Sequence, residues 1–158
     1  MPSAVLDSTV LVSAFLTPGG AADALLDQAK AGRFLGVLAE AIVAETARVL
    51  LERPHIRQRY PYTDADVQTY LQGLRQAAVL VSTLPPLAGI VRDPNDDMIL
   101  ACAVAASTSH VVTRDPDLLS LDTYEGIAIV TPEAFLDLLR GLETASGTTR
   151  EVMVHAVR

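Results

Sequence analysis

Short apolar segments of strand length alternate with helical segments along most of this 158-residue chain. Between the strand segments, apolar residues recur with the period of about 3.6 residues that is typical of helices. Strands that alternate with helices at this spacing form a parallel sheet covered by helices on both faces. We therefore expect an α/β fold, a three-layer α/β/α sandwich around a central, mostly parallel sheet. The expected strands are Ser3 to Leu6, Leu35 to Leu38, Val79 to Val81, His110 to Thr113 and Ile127 to Val130.

Local signals indicate where several helices begin and end. Gly32 is a candidate left-handed cap, and Pro54 ends the helix that precedes it. Thr63 begins a capping signal that Asp66 completes. The expected helices are Ser8 to Phe15, residues 21–31, Glu40 to Arg53, Thr63 to Ala77, Asp96 to Ala106 and Thr131 to about Leu142.

The length suits one domain, which we expect over residues 1–142. The tail over residues 143–158 is expected to be mobile or to bind a partner, and its first part, which is rich in Ser, Gly and Thr, is the part expected to be mobile. Two interpretations stay open for the segment from Val152 to Val157, an edge strand and a partner-binding segment. The longest apolar stretch, Met98 to Ala106, is far shorter than the roughly 20 residues of a membrane span. No positively charged start of a signal peptide is present, so we expect a soluble, cytoplasmic protein.

Charge and cysteine content narrow the function classes. The single Cys102 excludes a disulfide framework and a cysteine-based zinc cage, because both need several thiols. The net charge of −7 argues against a general nucleic-acid binder, whose affinity comes from phosphate neutralisation. It does not argue against an enzyme that holds divalent metals with carboxylates, because there the metal supplies the positive charge.

Acidic residues occupy positions where an α/β sheet places its sites. Asp7 ends the first strand and Asp115 follows the strand at Val111 and Val112, and such sheets bind ligands at the carboxyl ends of their strands. Asp97 begins an apolar helix, and Glu45 lies inside a helix. Each acid also has a purely structural interpretation: Asp7 as a helix cap, Asp97 as a partner of the helix dipole, Glu45 as a solvated residue and Asp115 as a turn residue.

Taken together, these segments resemble a known family, the PIN domain (PilT N-terminus). The resemblance is carried by Val5 to Ala14 around Asp7, Val43 to Glu45, Asp97 to Ala103, Thr113 to Leu119 and Ile129 to Pro132, and it spans about residues 3–140. Arg92-Asp93-Pro94 before the paired acids is similar to the toxin components of toxin–antitoxin pairs. One departure is Ser8-Thr9 after the first acid, where the family usually has Asn second.

The resemblance implies a metal-dependent endoribonuclease that hydrolyses RNA phosphodiester bonds with Mg²⁺ or Mn²⁺. It implies Asp7, Asp97 and Asp115 as metal ligands and catalytic residues, with Glu45 as the fourth catalytic acid. Hydroxyls that orient water or substrate are expected at Ser8, Thr9 and Thr113, and outer acids at Asp93, Asp96 and Asp117. The implied partners are the RNA substrate, a cognate antitoxin and a second copy of the chain in a homodimer, with no membrane. A basic rim for RNA is expected from Arg48, Arg53, Arg57, Arg59 and Arg92.

Two other function classes stay open at the level of sequence. The departure at Thr9 is compatible with a catalytically degenerate PIN-like protein that binds RNA or acts as a scaffold. A phosphotransfer protein with Asp7 as the nucleophile is disfavoured, because Thr9 stands where such sites often carry a second acid and the only lysine is Lys30. A metal-dependent adhesion motif is excluded, because the required serine spacing after Asp7 is missing.

Overall fold

Six strands of the described residues form one sheet in the order β3-β2-β1-β4-β6-β5. The computed structural model describes residues 1–81 and 94–157, and side chains over residues 1–81 and 96–144. All neighbouring strands are parallel except β5 and β6, which are antiparallel. The predicted α/β fold with a mostly parallel sheet flanked by helices is confirmed. The strands are β1 (Ser3–Leu6), β2 (Leu35–Ala39), β3 (Val79–Val81), β4 (His110–Val112), β5 (Thr123–Tyr124) and β6 (Ile127–Val130).

The helices largely follow the predicted caps. The Thr63 side chain accepts a hydrogen bond from the Asp66 N–H, and the Asp66 side chain accepts one from the Thr63 N–H, which completes the capping box. Gly32 has a φ of +76°, the left-handed conformation that glycine adopts without strain. The helices are α1 (Ser8–Leu16), α2 (Ala21–Lys30), α3 (Glu40–Glu52), α4 (Pro54–Arg59), α5 (Asp64–Ala77), α6 (Pro94–Ala105), α7 (Pro116–Leu119) and α8 (Pro132–Val157).

The C-terminal helix differs from the prediction. It continues to Val157 instead of ending near Leu142, so the edge strand considered for Val152 to Val157 is wrong. No proline follows Pro132, and an isolated glycine costs a helix only about 1 kcal/mol relative to alanine. The Ser, Gly and Thr residues therefore do not end α8. Mobility and partner binding of the tail stay predictions.

The two central strands lie in the hydrophobic core. Ala4 and Val5 of β1, and Val111 and Val112 of β4, have no exposed surface. Burying a Val side chain contributes roughly 1.5–3 kcal/mol, so these strands are anchored strongly by packing on both faces.

The register of these two strands determines what meets at their carboxyl ends. Leu6 of β1 is paired with Val112 of β4, and the Asp7 N–H donates to the Val112 carbonyl at 3.1 Å. Asp7 and Thr113, the next residues of each chain segment, therefore leave the sheet beside each other.

The lengths and hydrophobicity of the helices bear on whether one of them could span a membrane. Over the described residues, no single helix is long and apolar enough to cross a bilayer. Within the same residues, α1 and α2 taken together, as a pair bent by 103°, meet the length and composition criterion.

Candidate metal centre

Asp7 is a buried carboxylate that is held by donors from the start of α1 and from the residue that follows β4. It caps α1, and its Oδ1 accepts the Ser8 N–H at 2.7 Å. Its Oδ2 accepts the hydroxyls of Thr9 at 2.9 Å and Thr113 at 2.7 Å. The side chain of Asp7 thus combines the capping role with a hydrogen-bonded position at the carboxyl edge of the sheet.

Burial dominates the electrostatics of Asp7. The desolvation of the buried carboxylate raises its pKa, and the hydrogen bonds from Thr113, Thr9 and the Ser8 N–H lower it. The nearby negative charge of Asp115 raises the pKa further, and the net shift is upward. An ionised Asp7 is therefore costly unless positive charge is close by.

Two threonine hydroxyls connect the ends of β1 and β4. Thr9 Oγ1 donates to Asp7 and accepts the Arg114 N–H at 3.1 Å. Thr113 Oγ1 donates to Asp7 and accepts the Asp115 N–H at 3.0 Å. Each hydroxyl uses its donor and an acceptor position, so both fix Asp7 relative to the loop that carries Asp115. Their predicted contact with water or substrate stays a prediction.

Three carboxylates converge on the β4 side of the site. Asp96, Asp115 and Asp117 each offer an oxygen, and these three oxygens lie within 4.8 Å of one another. Asp96 is 5% exposed, Asp115 is half-buried and Asp117 is exposed. Such close negative charges repel one another, and an all-oxygen donor set suits Mg²⁺ or Mn²⁺. The residues present therefore fit a divalent cation.

The trio includes two acids that the sequence interpretation assigned to an outer position. Asp96 belongs to it and Asp97 does not, although both are 5% exposed. Adjacent residues of an α-helix point about 100° apart, so Asp96 and Asp97 face different directions. Asp117 is brought in by the turn of α7, where its N–H donates to Asp115 Oδ1 at 2.9 Å. The Asp-x-Asp spacing was the available signal for Asp117.

The remaining predicted residues lie around this core or outside the described part of the chain. Ser8 Oγ lies 3.5 Å from Asp7 Oδ1, the outer limit of a hydrogen bond. Glu45 on α3 is half-buried and forms an ion pair with Arg48, with 2.8 Å between Oε2 and Nη2. Glu45 shares a pocket with Ser8 and Thr9. Asp93 is outside the described residues.

The arginines of the expected basic rim have different surroundings. Arg57 is paired with Asp64, as Arg48 is with Glu45. Arg53 lines the pocket that contains Ser8 and Thr9, Arg59 lies over the Tyr60 ring, and Arg92 is outside the described residues.

Sequence comparison agrees with the fold. A PIN domain profile matches residues 3–117, which is well over half of the chain and contains every acid discussed above. A search of curated proteins found no match. The matched region runs from β1 into α7, so it includes both strand ends that form the site. The chain therefore belongs to the PIN domain family.

Proposed function

We propose that this protein is a metal-dependent endoribonuclease that hydrolyses phosphodiester bonds of RNA with Mg²⁺ or Mn²⁺. One observation carries the proposal: the oxygens of Asp96, Asp115 and Asp117 converge within 4.8 Å beside the buried Asp7. The site lies at the carboxyl edge of a parallel sheet, where α/β folds bind ligands. PIN domains are generally metal-dependent nucleases, which supports hydrolysis of a phosphodiester.

The carboxylates would hold the cation, and the hydroxyls of Thr9 and Thr113 would hold Asp7 in place. Asp96, Asp115 and Asp117 are the proposed ligands, with Asp7 completing the site from the β1 side. A bound cation supplies charge for the phosphate and lowers the pKa of bound water. Thr9 and Thr113 keep Asp7 oriented toward this position through their hydroxyl hydrogen bonds. Glu45, on the Ser8 and Thr9 side, is proposed to orient the attacking water.

Two adjacent acids at the start of α6, Asp96 and Asp97, are candidates for the metal ligand from this helix. The family resemblance assigns this role to Asp97, whereas the described geometry favours Asp96. Both remain in the proposal, and a matched pair of variants separates them.

We further infer that the protein is the toxin of a toxin–antitoxin pair in the cytoplasm. The support is the resemblance of Arg92-Asp93-Pro94 and the acids that follow to toxin members of the family. A cognate antitoxin would then cover the acidic site, and the toxin would act as a homodimer.

The catalytically degenerate alternative depended on Thr9 in place of the usual Asn. Thr9 forms two hydrogen bonds, one to Asp7 and one from Arg114. Because its hydroxyl acts as both donor and acceptor at this position, the departure from the family pattern does not break the connection between the two strand ends. The described geometry therefore favours the catalytic proposal.

The test is cleavage of total RNA and of structured RNAs by purified protein freed of antitoxin. Mg²⁺, Mn²⁺ and EDTA are compared for the wild type, Asp7→Asn, Asp96→Asn and Asp97→Asn. Asp27→Asn, an exposed acid of α2, is the matched control. We expect cleavage that requires metal, is lost in Asp7→Asn and is retained by the control.

The outcomes separate the proposal from its alternatives. Cleavage that persists in EDTA or in Asp7→Asn would contradict the metal mechanism. Loss in Asp97→Asn with full activity in Asp96→Asn would move the ligand to Asp97. Metal-dependent stabilisation without cleavage of any RNA would favour the degenerate RNA-binding or scaffold protein.

A further inference from the structure

A pocket of about 260 Å³ adjoins the acidic site. It lies between α1, α3 and α4, and two of its lining residues belong to the site itself, because Thr9 donates to Asp7 and Ser8 follows Asp7. An RNA strand that places a phosphate at the carboxylates would therefore place a neighbouring nucleotide here. The lining residues are Ser8, Thr9, Val12, Glu45, Val49, Arg53 and Ile56.

The walls of the pocket suit the flat faces of a nucleobase. Val12, Val49 and Ile56 provide aliphatic surface, and the hydroxyls and Glu45 provide polar groups. Ile56 is half-buried and does not belong to the hydrophobic core or the residues packed against it. Enzymes that extrude a base from a nucleic acid hold it between aromatic or apolar side chains and hydrogen-bond its edge.

The charge of Arg53 suits a phosphate. The nearby arginines Arg48, Arg57 and Arg114 are neutralised by ion pairs, whereas Arg53 makes no ion pair with any described side chain. The chain carries a net charge of −7, so an uncompensated guanidinium beside the site is a favourable contact for an anionic backbone. Arginine binds phosphate through a planar set of donors.

We propose that this pocket binds the nucleotide next to the cleaved bond in single-stranded RNA. The base lies against Val12, Val49 and Ile56, and Arg53 binds the phosphate of that nucleotide. The pocket then determines which base is preferred at that position. The proposal rests on the ribonuclease function, and it adds residues that govern substrate choice.

Two substitutions test the two halves of the pocket. Ile56→Trp fills the space for the base, with Gln58→Trp on the same short helix as its control, because Gln58 is exposed and does not line the pocket. Arg53→Gln removes the charge, with Arg140→Gln as its control, because Arg140 is exposed on α8 and does not line the pocket. Melting temperatures verify that each variant is folded.

Cleavage positions in a randomised single-stranded RNA library are sequenced, and kcat and KM are measured. Affinity for a labelled single-stranded RNA is measured in EDTA by fluorescence anisotropy, over a series of salt concentrations. We expect Ile56→Trp to change the base preference at one position beside the cleavage site and to weaken RNA binding about tenfold. Arg53→Gln should raise KM at nearly constant kcat and lower the slope of log affinity against log salt by about 0.7.

Unchanged base preference and affinity in Ile56→Trp, or an unchanged salt slope in Arg53→Gln, would overturn the proposal. A wild type that cleaves no RNA would instead contradict the ribonuclease function. The anisotropy measurements decide the pocket proposal in that case as well, because they need no catalysis.

Discussion

The acids at the carboxyl ends of β1 and β4 are held in different ways. Asp7 receives hydroxyl donors from its own helix and from the neighbouring strand, through Thr9 and Thr113. Asp115 receives the N–H of Asp117 from its own short turn. The position of the β1 acid therefore depends on the tertiary fold, whereas that of the β4 acids follows from local chain geometry.

The acid after β1 is also more buried than the two acids after β4. Asp7 is 5% exposed, whereas Asp115 is half-buried and Asp117 is exposed. A buried carboxylate that loses a donor pays the full desolvation penalty, and an exposed one is compensated by water. Substitutions around Asp7 should therefore affect folding and activity together, and substitutions of Asp115 and Asp117 should affect mainly the metal.

The largest expected effect is that of Asp115→Asn. Removal of this charge from the trio should lower metal-dependent cleavage at least about 100-fold and abolish the rise of the melting temperature in millimolar Mn²⁺. In EDTA the variant should be at least as stable as the wild type, because repulsion between carboxylates is relieved. Thermal melts and cleavage assays test this, with the exposed Asp122→Asn as control. A normal rise of the melting temperature with Mn²⁺ in Asp115→Asn would show that the acids after β4 do not hold the metal.

Thr113→Val tests the dependence of Asp7 on the neighbouring strand. Thr113 is fully buried, and valine keeps its shape but cannot donate to Asp7. The free energy of unfolding should fall by about 1–3 kcal/mol, and cleavage should fall about tenfold or more. Urea denaturation measures the first effect. Thr113→Ser keeps the hydroxyl and should stay close to the wild type; equal stability of the Val and Ser variants would refute the role of this bond.

Substitutions of Thr9 test whether its two hydrogen bonds are needed to hold Asp7. Thr9→Val loses both the bond to Asp7 and the bond from the Arg114 N–H, so cleavage should fall about tenfold. Thr9→Asn carries a donor and an acceptor and should stay within about threefold of the wild type. Cleavage kinetics of both variants decide this. An Asn variant as weak as the Val variant would show that the hydroxyl geometry itself is needed.

The smallest expected effect concerns the connection between the β4 loop and α8. Arg114 Nη2 lies 2.8 Å from Glu133 Oε1, and the hydrogen bond from Arg114 lowers the pKa of Glu133. A lowered pKa in the folded state stabilises the protein above the pKa of the unfolded chain, and this stability is lost as the pH falls through the folded value. Both side chains are more than a third exposed, so solvent screening limits the contribution to about 0.2–1 kcal/mol.

Glu133→Gln should therefore be slightly less stable than the wild type at pH 7. The difference should disappear below about pH 4, where glutamate is increasingly protonated. Urea denaturation at several pH values measures it. A difference that stays constant from pH 7 to the acidic range would indicate packing, and not charge, as the contribution of Glu133.

The secondary structure was predictable where local signals were strong. The strands at Ser3–Leu6 and Val79–Val81 and the capping box at Thr63 appear as expected. The two-residue strand β5 was missed because it has too few residues for a periodic pattern, and α4 was missed because it begins at Pro54, which was interpreted only as the end of α3. The C-terminal end of α8 was misplaced because composition is a weak indicator of where a helix ends.

The acids could be predicted as site candidates from their positions after strands and at helix starts, but their arrangement could not. Asp7 and Asp115 lie where the strand ends predicted them. Asp96 and Asp117 were expected only in an outer position, and the three-dimensional structure brings them together with Asp115.

By itself the sequence determined the alternation of strands and helices, the excess of acids and the acids that follow β1 and β4, because these depend on residue types and short-range spacing. Only the tertiary structure decided that Thr9 and Thr113 both hold Asp7, and that Asp96 meets Asp115 and Asp117. Those contacts depend on the register between β1 and β4 and on the rotation of α6 about its axis. The packing of the whole core determines both, and no local stretch of residues does.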